Sequence, residues 1–217
     1  MLSRASILWE MFTPMNRGIE IRPFNAERVN PNSYDVSLAG DFYLVQPAHD
    51  IVYFVGPVTV PDGERVYLPP GCTVLARTVE WVGTSSRIVA QLHSKSSTRR
   101  CGISVCDDAG LGDGGYSNYW TAELVTNTAT PGSLVVGAPF AQLSFDYLTD
   151  GGEAYDGQYT SDDWPACMIP RKLRGNALPA PDSLIAFMRT GNGWSTAQIA
   201  CAAMAMRAWS NNPGGGA

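Results

Sequence analysis

At 217 residues and 45% hydrophobic content, the chain is long enough to bury one sizeable core, with room for an added arm. Its formal net charge of -5 excludes the broad basic face of a non-specific nucleic-acid binder, so any phosphate site must be a local basic cluster. No apolar run is long enough for a membrane span. The five cysteines are odd in number and without a CxxC pair. With no secretory leader ahead of them, they read as thiols of a reducing, cytoplasmic setting.

Residues 2–12 carry the pattern of a short amphipathic helix, with Ser3 as N-cap and Ile7, Leu8 and Met11 on one face. From Ile19 the period changes to two. Val36 with Leu38 and Phe42 with Leu44 alternate with polar positions, and turns are expected at 61–63 and 69–71. Further strands follow through 51–60, 64–83 and 87–92. A turn at 95–100 leads into the segments ISVCD, YWTAELVTN, GSLVVG and FAQLSFDYL. About ten or more short strands predict an all-β jelly roll or distorted barrel. Residues 149–175 read as a mobile lid and tail closing a 1–175 domain. A helical extension is expected over 176–210, with helices at 182–189 and 195–209. In the second of these, Ser195 is the cap and Ile199, Ala202, Met206 and Trp209 share a face. Residues 211–217, Gly-rich and terminal, predict a disordered tail.

Most of the chemistry lies between His93 and Asn127. Ser96, Ser97 and Arg100 put two hydroxyls and a guanidinium fork in one turn, with Lys95 and Arg99 adding charge. Such a cluster suits phosphate or a polar reaction centre, and equally a capped surface turn. Glu123 interrupts an apolar strand. Facing outward it is a solvated carboxylate. Facing inward, desolvation would raise its pKa and suit it to general acid–base work. Asp113 sits in a glycine turn, where it can accept from a sugar hydroxyl or simply shape the backbone. Tyr116 can stack on a sugar or pack. Glu80 has the ambiguity of Glu123 with less around it, and His93 reads as a polar strand residue. With two histidines and neither an HxE nor a PCxxC, the zinc site of nucleoside deaminases is missing, so hydrolysis would run without zinc.

The order of these segments resembles the dCTP deaminases of the deoxyuridine triphosphatase superfamily. The likeness rests on Ile21–Asn25 with Val29–Val36, on Ala76–Val82, and on Ser94–Gly102, which is similar to the family's GKSS.AR.G run. Asp113–Tyr116, then Glu123 with Asn127, and Gly137–Phe145 extend it, so that it spans residues 3–175. The ordered set is far more specific than any one motif. The resemblance implies a homotrimer of distorted jelly rolls with active sites at subunit interfaces. It also implies Mg2+ carried on the substrate triphosphate and zinc-free deamination of a deoxycytidine nucleotide. Glu123 would activate water for attack at C4, with Ser96 and Arg100 holding that water and the developing charge. Asp113 and Tyr116 would face the deoxyribose, Ser97 the phosphates, Gln142 the nucleotide, Lys95 would belong to the substrate-binding set, and Tyr155 and Gln158 would belong to the lid.

Departures from the family pattern bear on substrate. The base-contacting segment reads Cys106-Asp107-Asp108-Ala109, and two acids there can alter the base pocket. The lid lysine is Gln158, which removes one phosphate contact unless Arg171, Lys172 or Arg174 replaces it. The leading expectation is dCTP plus water giving dUTP plus ammonia. The alternatives are a bifunctional deaminase and dUTPase or a dUTPase proper, a deaminase of 5-modified dCTP or of dCMP, and a catalytically lapsed nucleotide-binding regulator.

Overall fold

A computed structural model describes residues 1–13, 17–159 and 166–211. The chain opens with α1 (Arg4–Phe12), β1 (Ile19–Arg22), β2 (Tyr34–Ser37), β3 (Asp41–Ala48) and β4 (Ile51–Thr59). It continues through β5 (Arg65–Leu68), β6 (Thr73–Thr84), β7 (Ile88–Ser94), α2 (Ser96–Arg100), β8 (Ile103–Val105) and β9 (Leu111–Gly112). The last elements are β10 (Ser117–Thr126), β11 (Gly132–Val135), β12 (Pro139–Tyr147), β13 (Ala177–Leu178), α3 (Asp182–Thr190) and α4 (Trp194–Ser210).

The expected N-terminal helix is present. Ser3 caps it, its Oγ accepting from Ser6 N at 3.3 Å, and Ile7 and Met11 are buried. Among the described residues the strands form three sheets, not a closed barrel. The large sheet runs β13-β4-β3-β6-β10-β8 with β1 added to β6, a second runs β2-β12-β7-β9, and β5 pairs with β11. The twelve-residue β6 binds the large sheet together, because β1, β3 and β10 all pair with it.

Period-two alternation divides the large sheet into two environments. On the inner face Trp120, Ala122 and Leu124 join the main core with Leu44, Val74, Ala76, Phe140 and Phe145. On the outer face a smaller cluster gathers Tyr43, Phe54 and Leu75 under Met168 and Ile169. Glu123 lies opposite Leu75 in the register, and Leu75 lies opposite Tyr43, so these three share the outer face.

Three sequence expectations need correction. The 95–100 segment is a short helix, because Thr98 drops into the core and donates to Phe140 O at 2.7 Å, fixing one turn of helix on the end of β12. In α4 the buried residues are Ala197, Cys201 and Ala205, while Ile199 and Met206 stay 71% and 51% exposed. Small side chains at i, i+4 and i+8 allow α4 to approach α3 and β3 closely, and the bulkier residues are left outside. Gly193, in a left-handed conformation, precedes the helix, so Ser195 is not its cap. The tail predicted to be disordered lies outside the described residues from 212 onward, as does 160–165 of the predicted lid. Among the described residues no helix is long and apolar enough to cross a membrane.

Candidate active site

A cavity of about 420 Å³ lies on the large sheet, mostly lined by its outer face but reaching Asn118 and Trp120 past the irregularity in the pairing of β10. Its floor comes from Thr121 and Glu123 on β10, Thr73 and Leu75 on β6, and Val45 and Phe54 on β3 and β4. Cys167, Met168 and Pro170 roof one end. At the other end stand Asp113, Tyr116, Asn118 and Trp120, with Ala109 and Cys106 at the exit of β8. Of the residues singled out from sequence, Glu123, Asp113, Tyr116, Ala109 and Tyr155 line this cavity together.

Glu123 fits neither simple reading of a strand glutamate. It faces away from the main core and remains an exposed residue, yet it lines the cavity. Desolvation raises its carboxyl above the ordinary range, and the negative charge of Asp107 raises it further. The backbone places that second acid. Cys106 N donates to Glu123 O at 3.1 Å, continuing the β8–β10 ladder one residue past Val105. Cys106 then takes φ +50, an unusual conformation for a non-glycine residue, and the chain turns off the strand. Asp107 and Asp108 are therefore exposed beside the cavity while Ala109 returns to its wall. The Cys106 thiol is buried, donates to Thr121 O at 3.7 Å, and is pushed up to about 11 by desolvation. It is an inert wall residue at neutral pH.

The glycine turn delivers Asp113 and Tyr116. Tyr116 N donates to Asp113 O at 3.0 Å, and Gly115 takes φ +87. A Cβ at Gly115 would come within 3.0 Å of Ala154, so the turn needs glycine both for its φ and for the passage of the lid. The lid is tied down here. Tyr155 N donates to Gly114 O at 2.8 Å, and the Tyr155 ring packs edge-on against Tyr116, which packs edge-on against Trp120. Burial pushes the Tyr116 phenol well above its usual range.

Asn118, only 1% exposed, was not singled out from sequence. Its Nδ2 donates to Tyr159 O at 2.8 Å and holds that part of the segment expected to be a lid. The signal was available, because Asn118 has the parity of Trp120, Ala122 and Leu124, and a polar side chain among them needs a partner. Tyr159 also lines the cavity, and the charge of Glu123 helps raise its phenol pKa after burial and Tyr155.

The remaining candidates lie elsewhere. Ser96, Ser97 and Arg100 are exposed on α2 and do not line the cavity. Lys95 pairs with Asp35, whose other oxygen accepts from Asn30 at 2.8 Å. Gln142 accepts from Ser33 at 3.3 Å, and Gln158 accepts from Arg171 N at 3.3 Å. Glu80 is structural. It is fully buried, pairs with Arg28 and accepts from Ser37 N at 2.8 Å. His93 contacts Ser144 at 3.0 Å. Among the described residues no three His, Cys, Asp or Glu side chains are grouped to hold a metal ion.

Against known proteins, residues 2–148 match the model of the dCTP deaminase-like family. A dUMP-forming dCTP deaminase of Methanospirillum hungatei is 34% identical over 149 residues, covering 65% of this chain and 80% of the relative. One from Clostridium beijerinckii is 35% identical over 120 residues, covering 53% and 67%. The crystal structure of a 2'-deoxycytidine 5'-triphosphate deaminase from Agrobacterium tumefaciens superposes with a TM-score of 0.52 at 19% identity. That match covers 68% of this chain and 47% of that one, and speaks for the fold alone. The strand that carries Glu123, the turn that carries Asp113 and the helix that carries Ser96 and Arg100 all fall inside the matched region, and the chain belongs to the dCTP deaminase-like family.

Proposed function

We propose that this protein hydrolyses dCTP to dUMP, ammonia and pyrophosphate without a zinc-bound water. The observation that carries this reading is Glu123, a carboxylate with a raised pKa on the floor of a cavity within the matched region. Glu123 takes a proton from the water that attacks C4 and returns it to the base, so that the amino group leaves as ammonia. Asp113 lines the same cavity, where it orients a second water for cleavage between the α and β phosphates. The two relatives described above are named as dUMP-forming, which moves the product expectation from dUTP to dUMP. Tyr116 and Tyr155 offer ring faces and edges to the nucleoside. Mg2+ enters as part of the substrate, on the triphosphate.

Ser96 and Arg100 enter this reading through a second copy of the chain. In a homotrimer, α2 of one subunit is presented to the cavity of the next, where the hydroxyl and guanidinium hold water and stabilise developing charge.

The test supplies dCTP with Mg2+ and quantifies ammonia and pyrophosphate, with dCMP and 5-substituted dCTPs in parallel. Equal yields of the two products from dCTP support the proposal. Ammonia alone marks a dUTP-forming deaminase, and binding without either product marks a lapsed enzyme. Glu123→Gln is expected to lower ammonia release by about 10²–10⁴-fold, the span of general acid–base catalysis.

A further inference from the structure

A regular strand presents alternate residues to one face. On β10, however, Asn118, Tyr119, Trp120, Thr121 and Glu123 all line the cavity. The pairing with β6 is the cause. Tyr119 lies opposite Trp81, but Thr121 lies opposite Arg77, so Thr78, Val79 and Glu80 stand across from Trp120 alone. β6 therefore bulges at this point.

The bulge decides what Glu123 faces. Continued without it, the register that pairs Ser117 with Gly83 and Tyr119 with Trp81 would bring Glu123 opposite Arg77. With it, Glu123 stands opposite Leu75, roughly 7 Å further along β6, and Thr121 takes the place opposite Arg77. The Arg77 guanidinium lies over the Tyr119 ring, 4.5 Å from its centroid.

Thr78, fully buried, holds the bulge in place. Its Oγ1 accepts from Trp120 N at 2.9 Å and donates to Glu80 O at 2.6 Å, a side chain standing in for a ladder rung. On the other side the β6 backbone takes a new partner. Ala39 N donates to Arg77 O at 2.9 Å, and Leu38 bridges to Thr78. The Trp120 indole donates to Val82 O at 3.3 Å, with its ring edge-on to Tyr116 at the end of the cavity.

We propose that Thr78 is a positioning residue for the reaction, its hydroxyl pinning the β6 bulge that sets Glu123 opposite Leu75 and away from Arg77. The kinetic side of this inference rests on the dCTP reading above. Thr78 does not line the cavity and acts through the register. A cation opposite Glu123 would favour the ionised carboxylate and oppose the effect of desolvation and Asp107. The Cys106 thiol and the Tyr159 phenol are the other titratable neighbours of Glu123, with Asp113, Tyr116, Tyr119 and Tyr155 along the same wall.

The experiment follows the Glu123 carboxyl by carbon-13 NMR and, in parallel, ammonia release from dCTP across pH, using the full chain. Thr78→Val, which keeps the shape and loses the hydroxyl, is expected to lower kcat by roughly tenfold or more, as misplacing a reacting group does. Its Glu123 titration and the acidic limb of its kcat profile should move together to lower pH by about half a pH unit or more, because the carboxylate relaxes toward Arg77. Thr78→Ser restores the hydroxyl and should stay within about twofold of the parent. Arg77→Ala should leave the Glu123 titration in place. A Thr78→Val protein that melts lower yet keeps the parental kcat and titration overturns the proposal, as does an upward shift of the titration in Arg77→Ala. Where Thr78→Val does not fold, Thr78→Ala is compared with Thr78→Ser, since both lack the methyl group and differ in the hydroxyl. The Glu123 titration requires no turnover. A parent that releases no ammonia, with titrations that move as expected, therefore overturns the deaminase reading and leaves the register assignment standing.

Discussion

The helix α2 and the strand β10, at the two ends of one 35-residue stretch, present their polar residues in opposite ways. On α2 only Thr98 is buried, and Ser96, Ser97, Arg99 and Arg100 point outward without a side-chain partner among the described residues. On β10 every second residue is buried, and Glu123 is held in a cavity roofed by residues some forty positions later in the chain. Four outward donors without a side-chain partner, and a carboxylate in a cavity lined by no cation, both among the described residues, are complementary parts. The contrast teaches that, on the proposed reading, a single chain would hold the base of the reaction and display the groups that complete it.

The largest expected effect tests that division directly. Glu123→Gln and Arg100→Ala should each lose most activity, and co-refolding equal amounts of the two should restore about a quarter of the parental rate, as statistical assembly of sites shared between subunits gives. Failure of the mixture to recover activity above either variant would place both residues in one chain's site and break the comparison. Melting temperatures of both variants should stay near that of the parent, because both side chains are exposed.

A smaller effect separates the two faces of β10. Leu124→Ala, in the main core, should destabilise the fold by about 2–5 kcal/mol in denaturant titration. Val125→Ala, half-buried on the cavity side, should cost well under half as much. Equal losses would mean that the outer face is packed as tightly as the inner one.

The smallest effect is a shift in pH dependence. Burial and the charge of Asp107 hold the Glu123 pKa up, with Tyr159 and the Cys106 thiol as its other titratable neighbours. The proposed base works in its ionised form, so activity is expected to fall as pH drops through the Glu123 pKa. Asp107→Asn removes the repulsive charge, lowers that pKa and should move the acidic limb of the kcat profile to lower pH. A limb that stays in place would leave desolvation as the sole cause of the elevation.

The pattern of strands and turns, the capped N-terminal helix and the alternation that sets Glu123 apart from Ala122 and Leu124 were legible because they are local. Strand parity needs only neighbours two residues apart, and a cap needs three. The same logic failed on α4. Its most periodic apolar residues, Ile199 and Met206, stay outside, because contact with α3 and β3 favours the small side chains of Ala197, Cys201 and Ala205. Cys106 was read as part of a base-contacting segment, and only its positive φ explains why the acids after it leave the wall.

The sequence by itself therefore determined the β architecture and the family, and it singled out the candidate site residues. Tertiary structure alone decided how those residues are employed. Lys95 is committed to Asp35, sixty residues earlier, and Glu80 to Arg28. Glu123 owes its raised pKa to burial beside a cavity that Cys167 and Met168 also line, and to the charge of Asp107. The physical reason is range. Side-chain direction is fixed by the backbone within a few residues, whereas desolvation and ion pairing depend on which distant segments close over a face.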